Sequence, residues 1–139
     1  MSLEHDLVLA NRRPRQLSLL EAEPALAHRR TRLPLHVLRR VRDHIESNLE
    51  STLDLATLAA IAGVSPSHFS RCFRNTTGVT PHAYVMQQRL KTAELLIAST
   101  PLCLTEIAMR TGFADHSHFT RRFNRRTGVT PRAFRSLCR

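Results

Sequence analysis

Two stretches of this chain, HFSRCFRNTTGVTPHAY from His68 and HFTRRFNRRTGVTPRAF from His118, are versions of one sequence set fifty residues apart. A shorter match precedes them, in which Leu58-Ala59 and Gly63 return as Ile107-Ala108 and Gly112. The offset is 49 residues before this turn and 50 after it, so the second copy carries one additional turn residue. The chain therefore contains a duplicated supersecondary unit, which limits the architectures open to it.

Each copy predicts a helix, a tight turn and a second helix. In the first copy, Asp54 is placed to cap a helix that ends at Gly63, where the backbone is free to turn left-handed. Ser65-Pro66 then restarts the chain as N-cap and first helical residue. A helix that ends at a turn glycine and is followed within a few residues by an amphipathic helix is the helix-turn-helix pattern.

Apolar residues at steps of three and four, with proline and capping signals, predict the other helices. We expect an all-α fold of about seven helices, in which two tandem helix-turn-helix subdomains are joined by a long linker helix. The predicted helices cover about 34–49, 55–62, 65–76, 81–99, 104–111, 115–126 and 131–137.

The predicted domain organisation follows the repeat. Residues 34–80 form the first helix-turn-helix subdomain, 81–99 the connecting helix, and 100–139 the second subdomain. Residues 1–33 contain two prolines and clustered arginines without a sustained period, so we expect a flexible N-terminal arm or linker.

The charge of the chain points to a polyanionic partner. Its 139 residues include 21 Lys and Arg against 11 Asp and Glu, which gives a net charge of +10. Such a field attracts nucleic acid, because each neutralised phosphate releases condensed counterions, and an acidic membrane surface is the second choice. Composition alone leaves ribosomal and other RNA-binding proteins open. No stretch is long and apolar enough to span a membrane, so no membrane association is expected.

The second helix of each copy is predicted to pack one face on the core and to offer the other to the major groove of DNA. Serine, threonine, histidine and arginine can hydrogen-bond base edges or phosphates, and arginine can bridge guanine O6 and N7. The candidate DNA-binding residues are Ser67, His68, Ser70, Arg71, Arg74, His116, Ser117, His118, Thr120, Arg121, Arg122 and Arg125. A linker helix of about 27 Å is of the order of the ~34 Å between successive major-groove faces. One chain could therefore read two successive grooves.

Residues 34–138 resemble the DNA-binding domain of AraC/XylS-family transcription regulators. The resemblance is carried by the run from Gly112 to Phe123, GFADHSHFTRRF, and by GVTPRAFR from Gly128. It implies sequence-specific binding of double-stranded DNA, with base contacts from Ser67, Ser70, Arg71, His116, Ser117, Thr120 and Arg121. It also implies promoter activation through RNA polymerase, sometimes with repression. Members of this family usually carry a large N-terminal sensing or dimerisation domain, which 33 residues cannot form.

Several alternatives compete with this interpretation. The phenylalanines at 69, 73, 119 and 123 could stack on bases, but their spacing of four residues favours core packing. His116 and His118 could both bind a metal ion, but no third ligand occurs at a fitting spacing. We therefore expect no metal and no cofactor. An RNA binder that reads only shape would not need a repeat spaced for two major grooves.

An enzymatic alternative rests on the cysteines. Similar double units can be fused to alkyl-transfer DNA repair enzymes, and Cys103 lies near a predicted helix start, where a thiolate gains some stabilisation. No Pro-Cys-His motif or base relay accompanies it, so we expect no enzyme. Three cysteines without a CxxC pair favour a reducing, cytoplasmic setting. Since no heptad seam remains free, we expect a monomer.

Overall fold

The computed structural model describes residues 31–139. The predicted N-terminal arm therefore lies almost wholly outside the described residues. Within the described part the chain forms seven α-helices and no strand. They are α1 (Leu35–Ser47), α2 (Leu55–Ala62), α3 (Pro66–Thr77), α4 (Pro81–Ser99), α5 (Leu104–Arg110), α6 (His116–Thr127) and α7 (Pro131–Leu137). The predicted all-α fold with two tandem helix-turn-helix elements is confirmed.

The described residues divide into two compact units, each made of two separate stretches of chain. The first unit contains 31–43 and 54–81, and the second contains 44–53 and 82–139. Helix α1 therefore begins in the first unit, while its end and the segment that follows pack with the second.

The first helix-turn-helix consists of α2 packed on α3. Leu58 and Ala59 are buried on α2, and Phe69 and Phe73 have no exposed surface on α3. The small side chain of Ala59 fits the predicted close approach of the two helices. Burying one large apolar side chain contributes about 1.5–3 kcal/mol, so the phenylalanine pair is a main source of this unit's stability.

Local capping sets where these helices begin and end. The Asp54 carboxylate accepts the Thr57 N–H at 2.8 Å, and the Ser65 hydroxyl accepts the His68 N–H at 3.3 Å. Between them Gly63 has a φ of 74°, as the predicted left-handed turn requires. The predicted caps of α2 and α3 are thus confirmed, and the bounds of α3 shift by one residue.

Helix α1 ends two residues earlier than the periodicity predicts. The Asn48 side-chain amide donates to the His44 carbonyl at 2.8 Å, so it satisfies a carbonyl that another helical turn would otherwise bond. Leu49 is nonetheless buried, which explains why the apolar pattern continues past the helix end.

The second unit has one continuous apolar core. It combines a face of α4 (Met86, Leu90, Ala93 and Ile97) with buried residues of α5, the turn and α6. Phe119 and Phe123 are fully buried, and Phe113 of the turn lies 5.2 Å from Phe119 between ring centroids. The turn of this copy therefore contributes an aromatic side chain to the core.

The sequence TGVTP forms the same joint after both α3 and α6. The Thr77 hydroxyl lies 2.8 Å from the Phe73 carbonyl and 3.0 Å from the Val79 carbonyl, and it accepts the Val79 N–H. Thr127 makes the same three contacts with Phe123 and Val129, at 2.9, 2.9 and 3.3 Å. Each joint thus satisfies its own polar groups before the next helix starts.

Candidate nucleic-acid interface

Helices α3 and α6 each present a buried apolar stripe and an opposite polar face. The four phenylalanines of the two stripes have no exposed surface. Their predicted role in core packing is confirmed, and buried rings offer no face for stacking on bases.

None of the twelve residues predicted to bind DNA is buried. Ser67, Arg71, Arg74, His116, Ser117, Arg121 and Arg125 are exposed. His68, Ser70, His118, Thr120 and Arg122 are partly exposed. Each helix therefore brings its own group of donors and acceptors to one accessible surface.

On α3, the polar face is backed by Cys72. The Cys72 Sγ atom is buried and lies 3.4 Å from Nε2 of His68. Burial raises the pKa of the Cys72 thiol, while the charge of Arg71 acts in the opposite direction. The thiol is therefore a small buried core group, as predicted, and it contacts the His68 ring.

On α6, both histidines lie against aromatic rings. The His118 ring meets Phe113 edge-on at 5.7 Å, and the His116 ring lies 6.2 Å from that of Phe119. Asp115 acts as the predicted cap, since its carboxylate accepts the Ser117 N–H at 2.8 Å. Across residues 31–139, no group of three or more His, Cys, Asp or Glu side chains is placed to hold a metal ion.

The arginines of α6 have different surroundings. Arg121 is exposed, whereas the Nε atom of Arg122 is buried without a hydrogen-bond partner. Arg126 forms an ion pair with Glu94 of α4. The repeat does not reveal this pairing, because the partners are 32 residues apart and share no period. Arg121 and Arg125 are consequently the guanidinium groups most open to an anionic ligand on this helix.

A shallow cavity of about 530 Å³ lies beside the start of α6. Its lining combines two predicted site residues with side chains from other helices: Leu104, Thr105, His116, Thr120, Thr130, Pro131 and Arg132. Sequence reasoning did not place Thr105 and Thr130 at the site, since only the packing of α5 and α7 around α6 brings them there.

Electrostatics distinguish the two helices further. Helix α3 carries Arg71 and Arg74, whereas α6 carries four arginines, and neither helix contains an acidic residue. Both faces favour an anionic ligand, and α6 favours it more strongly.

Two further observations concern the enzymatic alternative and the possibility of a membrane span. Cys103 is exposed immediately before α5 and makes no side-chain cap hydrogen bond. No helix in the described part of the chain has the length and hydropathy needed to cross a membrane.

A family model and several curated proteins are similar in sequence to this chain. A family model described as "Helix-turn-helix domain" matches residues 58–136. The transcriptional activator Btr of Bacillus subtilis is 31% identical over 78 residues, which are 56% of this chain and 15% of Btr. The chain spans half or less of the length of curated relatives that it matches, such as 10% of a Staphylococcus aureus regulator and 50% of the TetD protein of transposon Tn10.

Two solved structures have the same fold. An AraC-type transcriptional regulator of Chromobacterium violaceum is 27% identical with a TM-score of 0.69, over 74% of this chain and 92% of that one. The DNA-binding domain of the global transcriptional factor AdpA, solved in complex with a target DNA, is 32% identical with a TM-score of 0.69. That match covers 72% of this chain and 90% of the AdpA domain.

Proposed function

Because the chain belongs to the AraC-type helix-turn-helix family of DNA-binding transcriptional regulators, we propose that α3 and α6 read base pairs in two successive major grooves of one duplex. The observation that carries this proposal is the duplication itself. One chain holds two helices with the same buried phenylalanine stripe, and each keeps its opposite face polar and accessible. A single copy would suffice for one groove.

The length of α4 supports reading two successive grooves. Its 19 residues give a helix of roughly 28 Å at 1.5 Å each. This length is comparable to the ~34 Å that separate successive major-groove faces. A monomer could then recognise a site without a palindrome.

The proposed base contacts come from Ser67, Ser70 and Arg71 on α3, and from His116, Ser117, Thr120 and Arg121 on α6. Arginine at the two equivalent positions, 71 and 121, is suited to bidentate recognition of guanine. The remaining candidates, His68, Arg74, His118, Arg122 and Arg125, are assigned to phosphates or to the rims of these contacts.

We assign activation of transcription to the protein, through contact with RNA polymerase. The support is that the similar Btr of Bacillus subtilis is a transcriptional activator. The proposed setting is the cytoplasm, where the domain binds DNA as a monomer and does not act as an enzyme.

Selection of bound duplexes from a random DNA pool at near-physiological salt tests this function. We expect two short enriched blocks about one helical turn apart. Arg71→Ala should relax one block and Arg121→Ala the other, and this assigns each block to a helix. A single block, or binding that fades with salt and enriches no motif, would contradict reading by both helices.

A further inference from the structure

Arg89 of α4 links two segments of the second unit that are far apart in sequence. Its Nη2 atom donates to the Ser51 carbonyl at 2.9 Å, in the segment that follows α1. Its Nε atom is buried and has no hydrogen-bond partner. Burial lowers the pKa of this guanidinium, which reflects the cost of holding the charge away from water. The guanidinium is therefore partly buried, with its Nε atom enclosed and its Nη2 atom bonded to the Ser51 carbonyl.

The turn of the second helix-turn-helix lies directly against this guanidinium. Gly112 has a φ of 89°, and a Cβ atom built on it would lie 2.6 Å from Nε and 2.7 Å from Cζ of Arg89. The same Cβ would lie 2.2 Å from the Leu49 carbonyl oxygen. These distances are far inside van der Waals contact, so Arg89 and the segment from Leu49 to Ser51 leave no room for a side chain at this turn.

The first copy lacks this contact. Gly63 occupies the equivalent turn position with a φ of 74°, and a Cβ built there would have nothing within 4 Å. Both glycines therefore need the left-handed backbone conformation, but only Gly112 is packed against neighbouring atoms. A substitution at Gly63 thus gives the cost of backbone strain without the clash with Arg89.

We infer that Arg89 is a positioning residue for α6, which holds the segment from Leu49 to Ser51 against the Gly112 turn and so sets where the DNA-reading helix begins. Only residues 113–115 separate Gly112 from the first residue of α6. A displaced turn would therefore shift His116 and Ser117 directly. The inference rests on the proposed function for its consequence in DNA reading, but the positioning itself can be measured without DNA.

The first test compares Arg89→Met, which keeps the length of the aliphatic stem, with Arg89→Lys, which keeps the charge and one donor group. In the free protein, the backbone amide resonances of residues 112–118 should shift in Arg89→Met, while those of residues 63–69 should not. Affinity for the selected duplex should fall on the order of tenfold for Arg89→Met, and Arg89→Lys should recover part of this loss. Thermal unfolding of each variant establishes that binding is measured on folded protein.

Duplexes in which one of the two selected blocks is scrambled show which recognition helix the Arg89→Met substitution affects. With the α6 block scrambled, Arg89→Met and the wild type should bind equally, because the affected contacts are already lost. With the α3 block scrambled, the tenfold difference should remain. Equal losses on all duplexes, or unchanged amide resonances at 112–118, would overturn the inference.

A double-mutant cycle tests whether Arg89 acts through the turn. Gly112→Ala should push the turn away from both the Leu49 carbonyl and the guanidinium, so adding Arg89→Met to it should cost far less affinity than in the wild type. Gly63→Ala is the matched control, since it brings the same left-handed strain without the clash. The fold-losses of affinity from Gly63→Ala and Arg89→Met should therefore multiply in the double variant. Multiplicative effects in both backgrounds would overturn the coupling. A wild type that selects no motif would instead overturn the proposed function, and the amide resonances would still decide on the positioning.

Discussion

Helices α3 and α6 have the same length and the same buried phenylalanine pair, yet two of their equivalent positions differ in residue type and burial. Cys72 and Thr76 of α3 are buried, whereas their counterparts Arg122 and Arg126 of α6 are not. In the first unit the Thr76 hydroxyl accepts the buried N–H of Leu33 at 2.9 Å. In the second unit Arg126 pairs with Glu94 of α4.

The repeat contains two kinds of position. The phenylalanines and the alanines at 59 and 108, which pack between the helices of a unit, are the same in both copies. Residues at which a neighbouring segment attaches differ, because a different segment attaches in each unit: 31–33 in the first and α4 in the second. This also makes α6 the more basic helix, since the positions of Cys72 and Thr76 carry arginine there.

The largest expected effect tests the shared part of the comparison. Phe69→Ala and Phe119→Ala each remove a fully buried ring, so each should lower the free energy of unfolding by about 3–5 kcal/mol. Urea denaturation measures the loss. Leu95→Ala is the control, since that side chain is 61% exposed and should change stability by less than about 0.5 kcal/mol. A markedly smaller loss for one phenylalanine would show that the two cores are not equivalent.

The next effect concerns DNA binding by the matched arginines. Arg71→Ala and Arg121→Ala should each weaken specific binding by about 1–3 kcal/mol if both contact bases. Titration of the selected duplex and of a random duplex measures the difference. Equal losses on both duplexes would identify that arginine as a phosphate contact, and a base-specific loss in only one variant would break the equivalence of the two helices.

The variable positions should differ in their contribution to stability. Thr76→Val leaves the buried N–H of Leu33 without an acceptor and should cost about 1–3 kcal/mol. Glu94→Gln weakens a partly exposed ion pair and should cost less than about 1 kcal/mol. Thermal unfolding of the two variants gives the ranking. If Glu94→Gln proved the more damaging, the ion pair would be the stronger attachment.

The smallest expected effect is a pH dependence at Asp54. Its hydrogen bonds to Thr57 lower the pKa of the Asp54 carboxyl below its ordinary value. The carboxylate therefore adds stability above the unfolded-state pKa of about 3.9, and this contribution is lost as the pH falls through the folded-state pKa. Between about pH 6 and about pH 2, which bracket this range, the wild type should lose more thermal stability than Asp54→Asn. The asparagine of that variant keeps a capping oxygen. If the thermal stabilities of the wild type and Asp54→Asn fell in parallel with pH, the Asp54 charge would not be the source of this stability.

Local signals made most of the fold predictable. The Asp54, Ser65 and Asp115 caps and the four buried phenylalanines act within one or two helical turns, so they could be read from spacing alone. The contacts of Arg89 with Ser51 and of Arg126 with Glu94 could not, because they join residues 38 and 32 apart with no shared period. The end of α1 was misplaced for a related reason, since Leu49 continues the apolar pattern after the helix has stopped.

The candidate site was predictable to the level of helix and face. Periodicity identified which side of α3 and α6 is accessible, because that side is the complement of the buried stripe. It could not show that Arg126 is neutralised, since its ion-pair partner Glu94 comes from another helix. Thr105 and Thr130 were missed for the same reason, as the packing of separate helices brings them beside His116.

The TGVTP joint has a consequence for protein engineering. The Thr77 and Thr127 hydroxyls bond to carbonyls and an amide within four residues of themselves, so these hydrogen bonds do not depend on what lies further along the chain. The same joint leads into a helix of 19 residues in one copy and of seven in the other. A chimaera spliced at this threonine would keep every hydrogen bond of the joint, which makes it the natural splice point for exchanging one recognition element or adding a third.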